Sequence, residues 1–301
     1  MKLEISLPEE LHRKRVLITG GNGQLGTELS NLSWSKNYDV LTTTRKQLDI
    51  CKPDVLKAFI DDYQPDYIVN AAAYTAVDKA EEEPQIARAV NEKAVEHLAA
   101  EASRIGAGLI HISTDYVFDG FNLDNPHVWY KETDETNPLN VYGLTKLAGE
   151  QAALSIDKAV VLRTSWVYSP HGSNFVHTMR RLANQGNEMK VVGDQYGCPT
   201  SAYDIAKVIV GILDQNMQHL GLFHCASPTD ATWWDFATEI VSQAGHKIKI
   251  KNITTDQFPL PAKRPADTRI SSDKLLKLYG LSCPPWVESL GNVSKRIDQL
   301  N

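Results

Sequence analysis

The sequence predicts an α/β fold: a doubly wound parallel sheet with helices on both faces, joined to a smaller α/β lobe in the C-terminal part. Three observations predict it. Apolar runs alternate with helical periodicity over the first two hundred residues, which is the rhythm of βα units that build a parallel sheet. Those runs read as continuously apolar, as strands do when helices cover both of their faces. A cluster of glycines also falls directly between the first such run and the first helical stretch.

In chain order, strands are read at Val16 to Thr19, Asp39 to Thr43, Tyr67 to Ala71, Leu109 to Ser113 and Ala159 to Thr164. Between them, helical stretches run from about Leu25 to Leu32, Lys52 to Tyr63, Gln85 to Ile105 and Tyr142 to Leu154; the third is Ala/Glu-rich and long. After Arg163 the character changes, since Ser169 to Asn174 and Gly193 to Thr200 read as irregular, turn-rich segments. A helix from Ala202 to Gln215 returns to the first core. The stretches Trp233 to Gln243, Ile248 to Ile253 and Ser271 to Tyr279 complete the smaller lobe. The expected division is thus a first unit of residues 1–164 and 202–221 and a second of 165–201 and 222–301.

Composition excludes several function classes. A chain of 301 residues with 42% apolar content has enough to bury a large core, so disorder is not expected. The net charge of −6 comes without long blocks of one sign, and Glu81-Glu82-Glu83 reads as a solvated helix turn, which argues against a nucleic-acid partner. No apolar run approaches the ~20 residues of a membrane span, and Met1 to Glu10 lacks the apolar centre of a secretion signal, so a cytoplasmic chain with no membrane partner is expected. Cys51, Cys198, Cys225 and Cys283 are scattered without CxxC spacing, which indicates neither a metal site nor a disulfide framework. The lead of about fourteen residues before the first strand is polar and has no functional account.

The glycines carry the first chemical signal. Gly20, Gly23 and Gly26 form a GxxGxxG between the strand Val16-Leu17-Ile18-Thr19 and a helix, the order that cradles a pyrophosphate. The first glycine makes the tight turn, the second lets backbone approach phosphate and the third permits close helix packing. The first unit is therefore read as dinucleotide-binding and the second as substrate-binding. At the end of the second strand, where a carboxylate would bind the adenosine ribose of NAD, stand Thr42-Thr43-Thr44-Arg45. A guanidinium suits a 2′-phosphate, so NADPH is the expected cofactor, with NADH as the alternative. Asp49 and Ile50 lie where an adenine contact would fall, although an exposed turn accounts for Asp49 equally well.

The second signal is Tyr142 and Lys146, four residues apart and therefore on one helix face, with Thr114 at a strand end. A phenol of pKa ~10 is a poor proton shuttle at neutral pH, and a neighbouring ammonium is expected to draw that value down. Lys146 would also bind the nicotinamide ribose, and Thr114 would donate to the substrate oxygen. A surface Tyr and Lys at this spacing arise by chance, so the pair gains its weight from the strand end and the glycine loop.

With Val69 to Glu81, Ser113 to Gly120, Pro138 to Glu150, Arg163 to Tyr168 and Asp194 to Thr200, the chain resembles the extended short-chain dehydrogenase/reductases, and within them the dTDP-4-dehydrorhamnose reductases. The resemblance covers nearly everything from Arg15 onward. It implies a Rossmann-type fold, a nucleotide-sugar substrate, reduction of a 4-keto sugar by NAD(P)H and a monomer or homodimer; it leaves a Mg²⁺ requirement open. It implies Thr114, Tyr142 and Lys146 as the catalytic trio. The cofactor would be held by Gly20, Gly23, Gln24 and Leu25, by Arg45, Asp49 and Ile50, by Ala71, Ala72 and Ala73, and by Tyr142 and Lys146. The substrate would meet Thr75, Val77, Thr114, Asp115, Tyr116 and Trp166, with Asn174, Phe175 and Arg264 reaching its diphosphate or base. Two rivals share the machinery. A non-catalytic NADP-binding regulatory subunit, like the β subunit of methionine adenosyltransferase, shares the fold and the Tyr-Gly-x-Thr-Lys-Leu stretch, and is expected to differ at Tyr74 to Asp78 and Ser165 to Tyr168. A related nucleotide-sugar reductase or epimerase would differ only in pocket residues.

Overall fold

A computed structural model describes residues 13–120, 128–186 and 188–300; the first twelve residues of the polar lead lie outside the described residues. The chain opens with β1 (Lys14–Thr19), α1 (Gln24–Asn31), β2 (Tyr38–Thr43), α2 (Pro53–Tyr63) and β3 (Tyr67–Asn70). Two short helices follow, α3 (Val77–Glu82) and α4 (Pro84–Arg88), then a π-helical turn at Ala89–Lys93, α5 (Ala94–Ile105) and β4 (Gly108–Thr114). After α6 (Val141–Leu154) and β5 (Ala159–Thr164) come β6 (Val167–Tyr168), α7 (Phe175–Asn184), β7 (Met189–Val192), β8 (Tyr196–Gly197) and β9 (Thr200–Ser201). The remainder is α8 (Ala202–Asp214), β10 (Gly221–His224), β11 (Ala231–Thr232), α9 (Trp233–Gln243), β12 (Ile250–Ile253), α10 (Asp273–Tyr279) and α11 (Trp286–Leu300).

Six strands form one parallel sheet in the order β10-β5-β4-β3-β1-β2. Alternate residues of each strand feed opposite cores. Val16, Ile18, Val69, Ile110 and Val160 pack beneath α1 and α8, while Leu17, Ile68, Leu109 and Val161 pack against α2 and α5. All nine are fully buried, each contributing roughly 1.5–3 kcal/mol, which is why these strands carry no polar alternation. The chain winds outward from β1 to β2 and then returns to β3 on the other side. That reversal opens a crevice at the C-terminal ends of β1 and β3. A third core joins α7, α9 and α11 around Val176, Phe236, Ile240 and Leu290, and two-stranded pairings such as β7 with β12 complete this smaller lobe.

The structure departs from the sequence reading in four places. The single helix read from Gln85 to Ile105 is broken by the π-helical turn, because Asn91 is tied elsewhere. Its Oδ1 accepts from the Tyr74 N–H at 2.8 Å, and its Nδ2 donates to the Tyr74 carbonyl at 3.0 Å and to Thr145 Oγ1 at 3.1 Å. A widened turn presses the Asn91 carbonyl against α6, where a Cβ on Gly149 would lie 2.1 Å from it. Second, β10 is the sixth strand of the main sheet, so the division expected between residues 221 and 222 falls inside a strand. Third, Leu275 and Tyr279 of α10 and Cys283 after it pack into the core under α8, not into the smaller lobe. Finally, α7 and α11 went unread; their apolar stripes, Val176, Met179 and Ala183, and Leu290, Val293 and Ile297, face the third core.

Candidate active site

The crevice holds a cavity of about 600 Å³, and the glycine turn forms one end of it. Gly20 has φ +75, and a Cβ there would come within 2.6 Å of the Ala72 nitrogen on the neighbouring strand end. A Cβ on Gly26 would lie 2.2 Å from the Gly20 carbonyl, so α1 packs against the turn only without a side chain. Gly23 caps α1, which has no side-chain cap and no acidic residue in its first turn. The free N–H groups therefore suit a pyrophosphate, and the cradle fits a dinucleotide. Gly23, Gln24 and Leu25 line the cavity with Ala71, Ala72 and Ala73 opposite, while Gly20 shapes the turn beneath.

Asn22 connects this cavity to a second groove, walled by Arg45, Lys46, Asp49 and Lys52. Arg45 is exposed, with its Nε 3.7 Å from Asp49 Oδ2. Three cations around one groove suit a 2′-phosphate. Ile50 is nearly buried and packs into the core with Leu48 and Leu56, so its side chain offers this groove little surface.

α6 places the phenol and the ammonium. Asn140 caps the helix by accepting from the Gly143 N–H at 2.8 Å, and a Cβ on Gly143 would stand 2.3 Å from the Tyr116 carbonyl, so helix and the segment after β4 are pressed together. Tyr142, Lys146 and Thr114 all line the cavity. Lys146 is 2% exposed and donates from Nζ to the Ile112 carbonyl at 2.6 Å. The expected lowering of the Tyr142 pKa by Lys146 is not found. Burial pushes the phenol up to about 12, opposed in part by Thr114, and burial pulls Lys146 down to about 8. Desolvation sets the phenol's shift, and Nζ is engaged by the Ile112 carbonyl. A phenol held protonated is the form that donates to a developing alkoxide.

Thr75, Val77, Asp115 and Tyr116 continue the wall beyond Thr114. Asp115 is buried, accepting from Ser165 Oγ at 2.8 Å, Thr268 Oγ1 at 2.6 Å and Thr114 Oγ1 at 3.1 Å; burial nonetheless raises its carboxyl to about 6. The facing wall comes from the smaller lobe through Trp166, Asn174 and Phe175. Asn174 caps α7 and donates from Nδ2 to Gln24 Oε1 at 2.9 Å, joining that lobe to the glycine loop.

The RmlD substrate binding domain matches residues 14–299. The chain belongs to this family. It is 43% identical to a dTDP-4-dehydrorhamnose reductase of Sinorhizobium fredii, over 91% of this chain and 95% of the relative. A dTDP-4-dehydrorhamnose reductase of Escherichia coli is 40% identical over 90% of this chain and 94% of its own. Among solved structures, a dTDP-4-dehydrorhamnose reductase of Bacillus anthracis in complex with NADP is 35% identical, with a TM-score of 0.89 over 94% of this chain and 99% of that one. A Thermus thermophilus UDP-glucose 4-epimerase, 17% identical with a TM-score of 0.81, shares the fold alone. The chain is an oxidoreductase of the dTDP-4-dehydrorhamnose reductase type, on a Rossmann-type sheet.

One residue assigned to the substrate by this family resemblance lies outside the cavity wall: Arg264 is clamped by Asp78, through Nη1 to Oδ1 at 2.9 Å and Nη2 to Oδ2 at 2.7 Å. Sequence reasoning also missed residues the structure brings in. Trp233 and Phe236 line the cavity, and Trp233 stacks on Trp166 with ring centroids 3.5 Å apart and planes 5° from parallel. The signal available was the pair Trp233-Trp234 directly after the capping residue Thr232. Thr268 carried none. Among the described residues no group of three or more His, Cys, Asp or Glu side chains is arranged to hold a metal ion, and no helix is long and apolar enough to cross a membrane.

Proposed function

We propose that this chain reduces the C4 ketone of dTDP-4-dehydro-L-rhamnose to give dTDP-L-rhamnose, with Tyr142 supplying the proton. NADPH, when bound, supplies the hydride. Tyr142 hands its proton to the oxygen that gains charge, and Thr114 fixes where that oxygen sits by hydrogen-bonding beside the phenol. Lys146, buried yet still largely protonated at neutral pH, keeps a positive charge in the cleft that favours the phenolate left by proton transfer, and water entering the cleft returns the proton to Tyr142. The 71–73 segment and the first turn of α1 hold the dinucleotide, Arg45 the 2′-phosphate, and the Trp166 wall the sugar nucleotide.

The observation that carries this reading is the convergence of Thr114, Tyr142 and Lys146 on the one cavity whose far end is the glycine turn. A regulatory subunit would share the Tyr/Lys stretch, so what supports the reductase over it is the substrate side, where Thr75, Val77, Trp166 and Tyr168 line the same cavity. The test is to incubate the chain with NADPH and dTDP-4-dehydro-L-rhamnose, follow absorbance of the reduced nicotinamide and identify the sugar. Loss of absorbance with dTDP-L-rhamnose as product is expected. Cofactor binding without turnover would favour the regulatory reading, and a different epimer or deoxysugar would point to a related reductase.

A further inference from the structure

Glu150 lies one helical turn beyond Lys146, on the same inner face of α6. It is buried, and it stands behind the cavity wall, not in it. Its Oε1 accepts from Ser113 Oγ at 2.5 Å and from Arg163 Nε at 2.9 Å, and its Oε2 accepts from Arg163 Nη2 at 2.8 Å. Arg163 is buried on β5, directly across the strand register from Ser113; one residue further on, Thr164 faces Thr114.

Taking both charges out of water is costly, and apolar side chains of similar volume often fill such a space at no loss of stability. What an apolar pair lacks is direction. The carboxylate takes three hydrogen bonds in a fixed arrangement, and one of them comes from the residue immediately before Thr114. Lys146 adds a second tie through the Ile112 carbonyl. Two residues of α6, one turn apart, are thus bound to two successive residues of β4, and helix and strand end cannot slide past each other without breaking one of these bonds. From this geometry we infer that Glu150 is a positioning residue for the reaction: by holding Ser113 and Arg163 together it fixes the end of β4, and with it Thr114, against the helix that carries Tyr142. The inference rests on the reductase reading for the reaction it serves.

Ser113→Ala cuts the tie to β4 while leaving the Glu150–Arg163 ion pair whole. Thermal unfolding should therefore stay close to parental. With the keto sugar kcat should fall about 10-fold, because a displacement well under 1 Å at the reacting groups is enough for such a loss. The Kd values for NADPH and dTDP-L-rhamnose should stay within about 2-fold of the parent's. Ser113 also lines the cavity, so a weakened Kd with parental kcat would mark a direct ligand contact and overturn the inference. The double variant Glu150→Leu/Arg163→Met removes both buried charges together; it should melt within about 5 °C of the parent while kcat remains about 10-fold down. Parental kcat in this double variant or in Ser113→Ala would show that the cluster serves stability alone and overturn the inference. If the double variant does not fold, Ser113→Ala decides by itself. A parent that binds the sugar nucleotide without reducing the ketone would count against the reductase reading alone. The inference would then be decided by crystal structures of the parent and Ser113→Ala, where a wider separation of Thr114 and Tyr142 in the variant is expected and an unchanged one would overturn it.

Discussion

The two walls of the cleft are built differently. The cofactor wall consists of short consecutive segments at adjacent strand ends, Gly20 to Leu25 after β1 and Ala71 to Ala73 after β3, so each contact is set by the local path of the chain. The substrate wall gathers Trp166, Asn174 and Phe175 with Trp233 and Phe236 from much further along the chain, and its reach depends on how the smaller lobe docks. The first wall is a property of sequence neighbours and the second of tertiary packing. Substitutions on the cofactor side should therefore give sharp, single-purpose losses, whereas those on the substrate side should give smaller losses spread over binding.

The strongest test lies where the walls meet. Tyr142→Phe keeps the ring and removes the proton donor, so kcat should fall by ~10²–10⁴ with the Kd for NADPH nearly unchanged. Steady-state kinetics and fluorescence titration of the cofactor check both halves. Parental turnover by this variant would place the acid elsewhere.

Lys146 offers the next largest effect, through stability as well as rate. Burial lowers its pKa from the ordinary 10.5 to about 8, so the folded state binds fewer protons than the unfolded state between those values. The cost of burying the charge is therefore fully present below pH 8 and fades as pH rises towards 10.5. Relative to the parent, Lys146→Met should gain about 3 kcal/mol more at pH 7 than at pH 10.5, as read from denaturant melts at the two pH values. In the parent, kcat/KM should decline as pH rises through about 8, since the lysine then loses its charge. A pH-independent difference between the two melts would show that Nζ is not desolvated as the structure has it.

On the cofactor side, Arg45→Ala should weaken NADPH by ~1.5–3 kcal/mol and leave NADH untouched, because only the 2′-phosphate calls for that guanidinium. Paired titrations decide it; equal losses for both cofactors would remove Arg45 from the 2′-phosphate.

Legibility in the sequence follows the same division. The five strands from Val16 to Thr164 lie where apolar continuity puts them, because a strand covered on both faces has no other way to be written. The glycine loop and the Tyr142/Lys146 spacing were legible for a related reason: turn geometry and helical periodicity act over a few residues. What stayed hidden acts over long range. The break at Asn91 depends on Tyr74, Thr145 and Gly149; the phenol's pKa depends on how deeply α6 is buried; and Arg264 is engaged by an aspartate almost two hundred residues earlier in the chain. Neither hydropathy nor spacing reports on such partners.

The smallest effect belongs to the aromatic wall and tests the contrast most directly. Trp166 sits at φ +45, a backbone region that bulky residues avoid, and a Cβ on Gly197 would come within 2.3 Å of its ring. Its ring is held flat against Trp233, and such stacks are worth ~0.5–1.5 kcal/mol beyond the area they bury. Trp233→Leu keeps an apolar side chain at the start of α9 but removes the stack, leaving the strained backbone of Trp166 without its brace. The expected result is a rise of about 2–10-fold in KM for the sugar nucleotide, with kcat and the Kd for NADPH close to parental. If NADPH affinity fell as much as KM rose, the two walls would be energetically one, and the division between a locally coded cofactor side and a packed substrate side would not hold.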